Sequence, residues 1–340
     1  MASLTEIANV AGVSVATVSR VLSGSSHPVS DQMRERVNRA AEVLGFHPNM
    51  LARGLVTNRS NTLAVIVHDI SDPYFSEIVR GLEDSAHEHS YQLFISSSDR
   101  DPDRELAYVR AFLSHRVDAI IFAGGAFADD IYQHNLDTLL GPYQENRAVV
   151  RLSPREDGRP FIAPDNRGGA KLMTHHLLEL GHRVIGFIDG PPDFPPSVER
   201  SAGFEVALRD AGLAAEADLN ESGHFTEAGG AAAAAALLAR RSDITALFAA
   251  NDLMAIGVLQ ELQRRSIDVP AAVSVAGFDD VRMASHMHPS LTTVRVPMYE
   301  LGRQAFFLAM KLLTGERPQA RRLGVSLQLR ESTGPRRPSA

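Results

Sequence analysis

From Leu63 onward the chain alternates short runs of β-branched and apolar residues with longer stretches of helical period. LAVIVH precedes Tyr74 to His89, QLFIS precedes Asp103 to Arg116, and AIIFA precedes a helix after Asp129. This alternation constrains the fold strongly: strands covered on both faces read as unbroken apolar runs, and parallel neighbours need a crossover of helix length. It predicts a parallel sheet flanked by helices. Asp72 before Pro73 and Asp101 before Pro102 mark two helix starts, each a capping carboxylate followed by a proline where a missing N–H costs nothing. A second set follows Asp165, with a helix from Asn166 to Leu180, strand VIGFI, helices from Pro196 to Ala211 and Glu227 to Arg240, strand ALFA, a helix from Leu253 to Arg265, and strand VSVAGF. The alanine run from Ala231 to Ala236 reads as part of a packed helix, since alanine is the best helix former. The last residues, TGPRRPSA, read as a frayed basic tail.

The beginning of the chain is different in kind. Ser3 to Leu22 reads SLTEIANVAGVSVATVSRVL, and Ser3 with Glu6 forms a capping box that starts a helix at Leu4. Leu4, Ile7, Ala8 and Ala11 fall at i, i+3, i+4 and i+7, so one face is apolar. Gly12 allows a tight turn and Ser14 can cap a second helix, on which Val18, Val21 and Leu22 lie together while Ala16 and Arg20 face away. This is the pattern of a helix-turn-helix, and it points to duplex DNA. The candidate contacts are Ser14, Val15, Ala16, Thr17, Ser19 and Arg20. An arginine on an exposed face can meet guanine O6 and N7 in the major groove, and a small alanine permits close approach or touches a thymine methyl. Ser30 can cap a third helix that places Met33, Val37, Ala40, Ala41 and Leu44 on one face and ends at Gly45.

Charge is distributed to match. The 340 residues carry 34 basic and 41 acidic side chains, a net of −7; the first 60 hold six Arg and four acidic residues, net +2, leaving −9 for the remainder. The asymmetry places nucleic acid at the N-terminal end and argues against wrapping of DNA by the core. There is no cysteine, which excludes disulfide scaffolds and cysteine-ligated zinc. The opening MASLTEIANV lacks a basic and apolar leader, and no apolar run reaches the ~18 residues of a membrane span, so a cytoplasmic protein without membrane contact is expected.

VSVATVSRVL followed by GFHPNMLARGL resembles the LacI/GalR family of bacterial transcription regulators, and the similarity runs over nearly the whole chain. The resemblance implies an all-α helix-turn-helix headpiece over residues 1–47, a hinge helix and linker over 48–60, an α/β core of two lobes with parallel sheets, similar to periplasmic binding proteins, over 61–333, and a tail over 334–340. The chain would cross back to the first lobe near Leu291 to Val296, placing a helix from Met298 to Leu313 there. In the hinge, Asn49, Ala52, Arg53 and Leu55 would contact DNA. Asn49 to Leu55 is only about two turns long, too short to be stable alone, and would fold as two copies meet in the minor groove with Leu55 as a wedge. A homodimer reading a palindromic operator follows, because one helix-turn-helix covers a half-site.

Ligands of open α/β sheets collect beyond the carboxyl ends of the strands. Asp69, Ser97, Ser98, Gly124, Asp189, Asn251, Asp252 and Asp279 stand at such ends and describe a polar cleft. The resemblance sharpens the set to Tyr74, Phe75, Asp165, Arg200, Phe225, Asn251 and Asp279. Carboxylates, an amide, an arginine fork and aromatic rings suit a sugar or sugar derivative. The loop DGPPDFPPSVER departs from relatives by its four prolines and Phe194, which makes it stiff and apolar. The expected function is a DNA-binding regulator, a repressor controlled by a small effector. The competing reading is a cytoplasmic α/β enzyme or sugar-binding protein with an incidental helix-turn-helix. No GxGxxG after a strand, P-loop or GxSxG is present, and His87/His89 and His286/His288 are spaced unfavourably for a metal, so no catalysis, cofactor or metal is expected.

Overall fold

The computed structural model describes residues 2–23, 28–46, 59–125, 129–154, 158–192 and 194–336. The chain divides between Asn61 and Thr62 into two units. In the first, helices α1 (Leu4–Ala11), α2 (Val15–Ser23) and α3 (Asp31–Val43) enclose Ile7, Ala8, Ala11, Val18, Val21, Val37, Ala40 and Ala41. The capping box is formed: Ser3 Oγ accepts from the Glu6 amide and the Ser3 amide donates to Glu6 Oε2 at 2.7 Å. Gly12 ends α1 at φ +62°, and the Arg36 guanidinium of α3 donates to the carbonyls of Ala11 and Gly12, supplying partners to a helix end that has none of its own. Ser14 Oγ accepts from the Thr17 amide at 3.1 Å, and Ser30 Oγ from that of Met33. Met33 is a correction to the expected core: it sits in the first turn of α3 beside the cap and is exposed, the core taking Val29 and Phe46 from the flanking segments instead.

In the second unit, strands β1 (Thr62–Val67), β2 (Gln92–Ser97), β3 (Ala119–Phe122) and β4 (Ala148–Arg151) form a parallel sheet in the order β2-β1-β3-β4, with Leu63 opposite Ala119 and Thr62 opposite Gln92. Helices α4 (Pro73–Glu88), α5 (Pro102–Ser114) and α6 (Asp130–Gln144) are the crossovers. After β5 (Ile162–Pro164) and α7 (Asn166–Glu179) a second parallel sheet, β7-β6-β8-β9, is built from β6 (Ile185–Asp189), β7 (Asn220–Ser222), β8 (Ala246–Ala249) and β9 (Ser274–Ala276), with α8 (Pro195–Asp210), α9 (Glu227–Arg240) and α10 (Asp252–Arg264) around it. The rule that parallel sheets bury both faces holds for β1, β3, β6 and β8, which are apolar and inaccessible almost throughout.

The chain then returns. β10 (Thr293–Arg295) pairs antiparallel with β12 (Ser326–Gln328), β11 (Arg321–Leu323) pairs with β5, and α11 (Met298–Leu313) packs on α4 of the first lobe. That packing is close because two glycines face it: a Cβ on Gly81 would stand 2.0 Å from the Tyr299 carbonyl oxygen, and one on Gly302 would stand 1.9 Å from that of Ile78.

The C-terminal segment corrects the expected tail. The Gly334 amide donates to Ser274 Oγ at 3.1 Å, its carbonyl meets His182 Nε2 at 3.0 Å, and the Arg336 amide donates to Leu180 O at 2.8 Å. Residues 333–336 are therefore fastened to the second lobe. Their Gly/Pro/Arg composition gave no sign of this, because the bonds run through backbone groups. His176 of α7 is half-buried against Thr333 of the same segment. Residues 337–340 lie outside the described residues.

Candidate functional site

On α2, Ser14, Val15, Ala16, Ser19 and Arg20 are exposed, while Thr17 is half-buried and tied to Ser14 Oγ at 2.8 Å. Val18 and Val21 point into the small core, so the outward face is fixed by the inward one. Asn49, Ala52, Arg53 and Leu55 lie outside the described residues.

In the core, the carboxyl ends of both sheets face one cavity. Of the expected residues, Tyr74, Phe75, Arg200, Phe225, Asn251 and Asp279 line it. Arg200 is its centre of order. Projecting from α8 and buried, its Nε donates to Asn166 Oδ1 at 2.9 Å, one Nη donates to the Ala250 carbonyl, and the other to Asp279 Oδ1 at 3.0 Å. The guanidinium carbon lies 3.8 Å from the Phe278 ring centre. Burial pushes the Asp279 carboxyl up to about 7, against the pull of Arg200. Asn251 caps α10 by accepting from the Met254 amide at 2.9 Å.

Aromatic rings line the same cavity. His68, at the end of β1, is buried with its ring centre 5.6 Å from Phe75 and 5.3 Å from Phe194; Phe194 is 6.1 Å from Phe225. Burial takes the His68 imidazole down to about 3, so it is neutral at physiological pH. Tyr74 stands edge-on to Phe75 at 5.1 Å, and burial raises its phenol. The cavity thus offers apolar ring faces together with a fixed amide, carboxyl and guanidinium.

Asp165 is the expected site residue that does not reach the cavity. Its carboxylate is spent on the N-cap of α7, accepting from the Gly168 amide at 2.9 Å, and its neighbour Asn166 lines the cavity instead. Several strand-end residues are likewise structural. Asp69 accepts from the amide and hydroxyl of Ser71, Ser97 Oγ accepts from the Ile70 amide, and Ser98 Oγ donates to Val67 O. Asp252 accepts from Thr293 Oγ1 at 2.6 Å and from the Val281 amide at 2.9 Å. Asp189, pushed up to about 7 by burial, accepts from the Gly190 amide.

Sequence reasoning missed His68, Asp72, Arg100 and Asn166 as lining residues. Reading two residues further past each strand would have found Arg100 after β2. His68 was hidden by being taken as strand.

Residues 3–49 match the family described as bacterial regulatory proteins, lacI family, and residues 174–333 match the periplasmic binding protein-like domain. The chain belongs to the LacI family of bacterial DNA-binding transcriptional regulators. It is 35% identical over 312 residues to the HTH-type transcriptional regulator GalR of Escherichia coli (strain K12), which spans 92% of this chain and 89% of that protein. Among solved structures, the lac repressor dimer bound to operator and the anti-inducer ONPF superposes with a TM-score of 0.87 at 26% identity, covering 98% of this chain and 99% of the repressor. The transcriptional regulator CelR–cellobiose complex gives 0.72 at 33% identity, covering 98% and 100%.

Proposed function

We propose that this chain is a homodimeric repressor whose grip on a palindromic operator is set by a sugar or sugar derivative held between the lobes of its core. The observation that carries this is the cavity itself: a buried arginine held by a carboxylate, an amide and a carbonyl shares it with several aromatic rings, at the carboxyl ends of two parallel sheets. That arrangement supports a site that binds and orients a polyol, and on this reading the protein acts by binding rather than turnover, in the cytoplasm. Tyr74, Phe75, Arg200, Phe225, Asn251 and Asp279 are the effector contacts. Val15, Ala16, Ser19 and Arg20 meet base edges, Ser14 and Thr17 set the start of the reading helix, and Asn49, Ala52, Arg53 and Leu55 form the hinge. The CelR–cellobiose complex supports the ligand class, and the operator-bound lac repressor dimer supports the assembly. Selection of bound DNA from a random pool, with and without a panel of mono- and disaccharides, tests all of it. A palindromic site whose recovery changes with one sugar is expected; an asymmetric site, or recovery indifferent to every sugar, would defeat the proposal.

A further inference from the structure

The cleft holds a second arginine that the polyol reading does not use. Arg100, which follows β2 of the first sheet whereas Arg200 stands on a helix of the second, lines the same cavity. The two differ in one respect that matters. Arg200 has its charge and donors matched by Asp279, Asn166 and the Ala250 carbonyl, whereas the Arg100 guanidinium makes no hydrogen bond or ion pair with any described residue, and its Nε is buried without an acceptor. The carboxylates that act on it are Asp72 and Asp69, both through space. Each is already engaged, Asp72 by the Tyr74 amide at 2.9 Å and Asp69 by Ser71.

The backbone is bent to place it there. Asp99 and Arg100 both adopt left-handed conformations, at φ +53° and +57°, a pair of strained residues in succession where neither is glycine. The turn is braced on either side. The Asp99 amide donates to His68 O at 2.7 Å, its carboxylate pairs with Arg104, Arg104 also donates to Ser97 O at 3.1 Å, and Asp101 caps α5. A rigid turn thus delivers a fork of five donors, always charged, to the ligand space. A neutral sugar would not answer that charge, but a carboxylate or phosphate would, and bidentately.

We infer that the effector is anionic: a sugar acid or sugar phosphate whose polyol end meets Arg200, Asp279 and Asn251 and whose charged group meets Arg100. This rests on the cleft being the effector site. The test is calorimetric titration of the full chain with inorganic phosphate, and with glucose and galactose each beside its uronate and its 6-phosphate, for wild type, Arg100→Gln and Phe194→Ala. Arg100→Gln keeps a polar donor close to the position of Nε and removes the charge. In wild type a charged member should bind at least about tenfold more tightly than its neutral parent, and that ratio should fall to near unity in Arg100→Gln. Neutral parents binding as well as their charged partners, a charge preference that survives in Arg100→Gln, or no binding of any anion including phosphate would each overturn the inference. Neutral sugars bound by wild type and weakened by Phe194→Ala would then leave the cleft reading standing. Ligands bound undiminished by Phe194→Ala would sink the cleft reading itself.

Discussion

Replacing Arg200 by methionine isolates what the buried guanidinium contributes, because methionine keeps most of the aliphatic stem and removes every donor. In the wild-type chain Arg200 and Asp279 have side chains 4% and 6% exposed, with 3.0 Å between Nη2 and Oδ1. Removing one member of so buried a pair leaves the other charge without compensation, at a cost of about 3–5 kcal/mol, and the lost stacking on Phe278 falls inside that figure. The deficit must depend on pH in a defined sense. Asp279 already titrates near 7 because burial opposes its charge, and Arg200 is the group pulling it down. Without Arg200 its folded value rises further. A carboxyl raised in the folded state contributes stability that is whole below its unfolded value near 4 and is lost as pH rises through the folded one. Arg200→Met should therefore be most damaged at pH 8 and recover toward wild type at pH 5. Arg200→Met/Asp279→Asn should regain about 2 kcal/mol or more at pH 8 relative to the sum of the single variants. The chain has no tryptophan, so denaturation is best followed by far-UV circular dichroism in urea, comparing midpoints and slopes at both pH values since a two-lobed core need not unfold in one step. A loss under about 1 kcal/mol at pH 8, a deficit independent of pH, or strict additivity of the two substitutions would refute the reasoning.

Arg20→Ala should cost about 1–3 kcal/mol at one guanine of each half-site and relax selection there; equal weakening on all sequences would make Arg20 a phosphate contact. His68, neutral and buried, holds its folded value about 3 and below its unfolded one, so its contribution is whole above pH 6.5 and shrinks as pH falls. Between pH 7 and 5 wild type should lose about 2 kcal/mol more stability than His68→Phe, and parallel pH profiles would contradict this. Gly302→Ala should destabilise by at least about 1–3 kcal/mol, since its Cβ would stand 1.9 Å from a backbone oxygen of α4 that cannot step aside, and an unchanged melting temperature would mean the helices part freely.

Most of the fold was legible because it is written in period and punctuation. The capping box at Ser3, the Asp-Pro starts of α4 and α5, and the apolar runs of β1, β3, β6 and β8 all act within a few residues of themselves. What could not be read acts at long range. β5, β10, β11 and β12 are three-residue strands whose partners lie far off in sequence, and the segment at Gly334 is ordered by bonds to Ser274 and His182 rather than by its own composition. Met33 failed as a core residue for the opposite reason. The period put it on the apolar face, but the first turn of α3 projects beyond the other two helices' core.

The cleft shows why polar residues at strand ends overpredict ligand contacts. A carboxylate after a parallel strand stands beside the free amides of the next helix or turn, and Asp69, Asp165 and Asp189 are consumed by such amides or by an adjacent hydroxyl. Three of the residues that do reach the cavity leave the regular path, Arg100, Phe225 and Asp279 having positive φ at +57°, +59° and +116°, whereas Tyr74, Phe75 and Arg200 reach it from helices. Asp279 carries the furthest consequence. Its amide donates to Val294 O at 2.8 Å and its carbonyl accepts from the Val296 amide at 3.1 Å, while Asp252 beside it holds Thr293. The residue that pairs with Arg200 in the cleft is thus stitched into β10, the segment through which the chain returns to the first lobe. On the proposed effector site, a ligand group that competes for Arg200 would act on a side chain whose own backbone is part of that return, so the cleft and the relation between the lobes would meet in one residue with no intermediate relay needed.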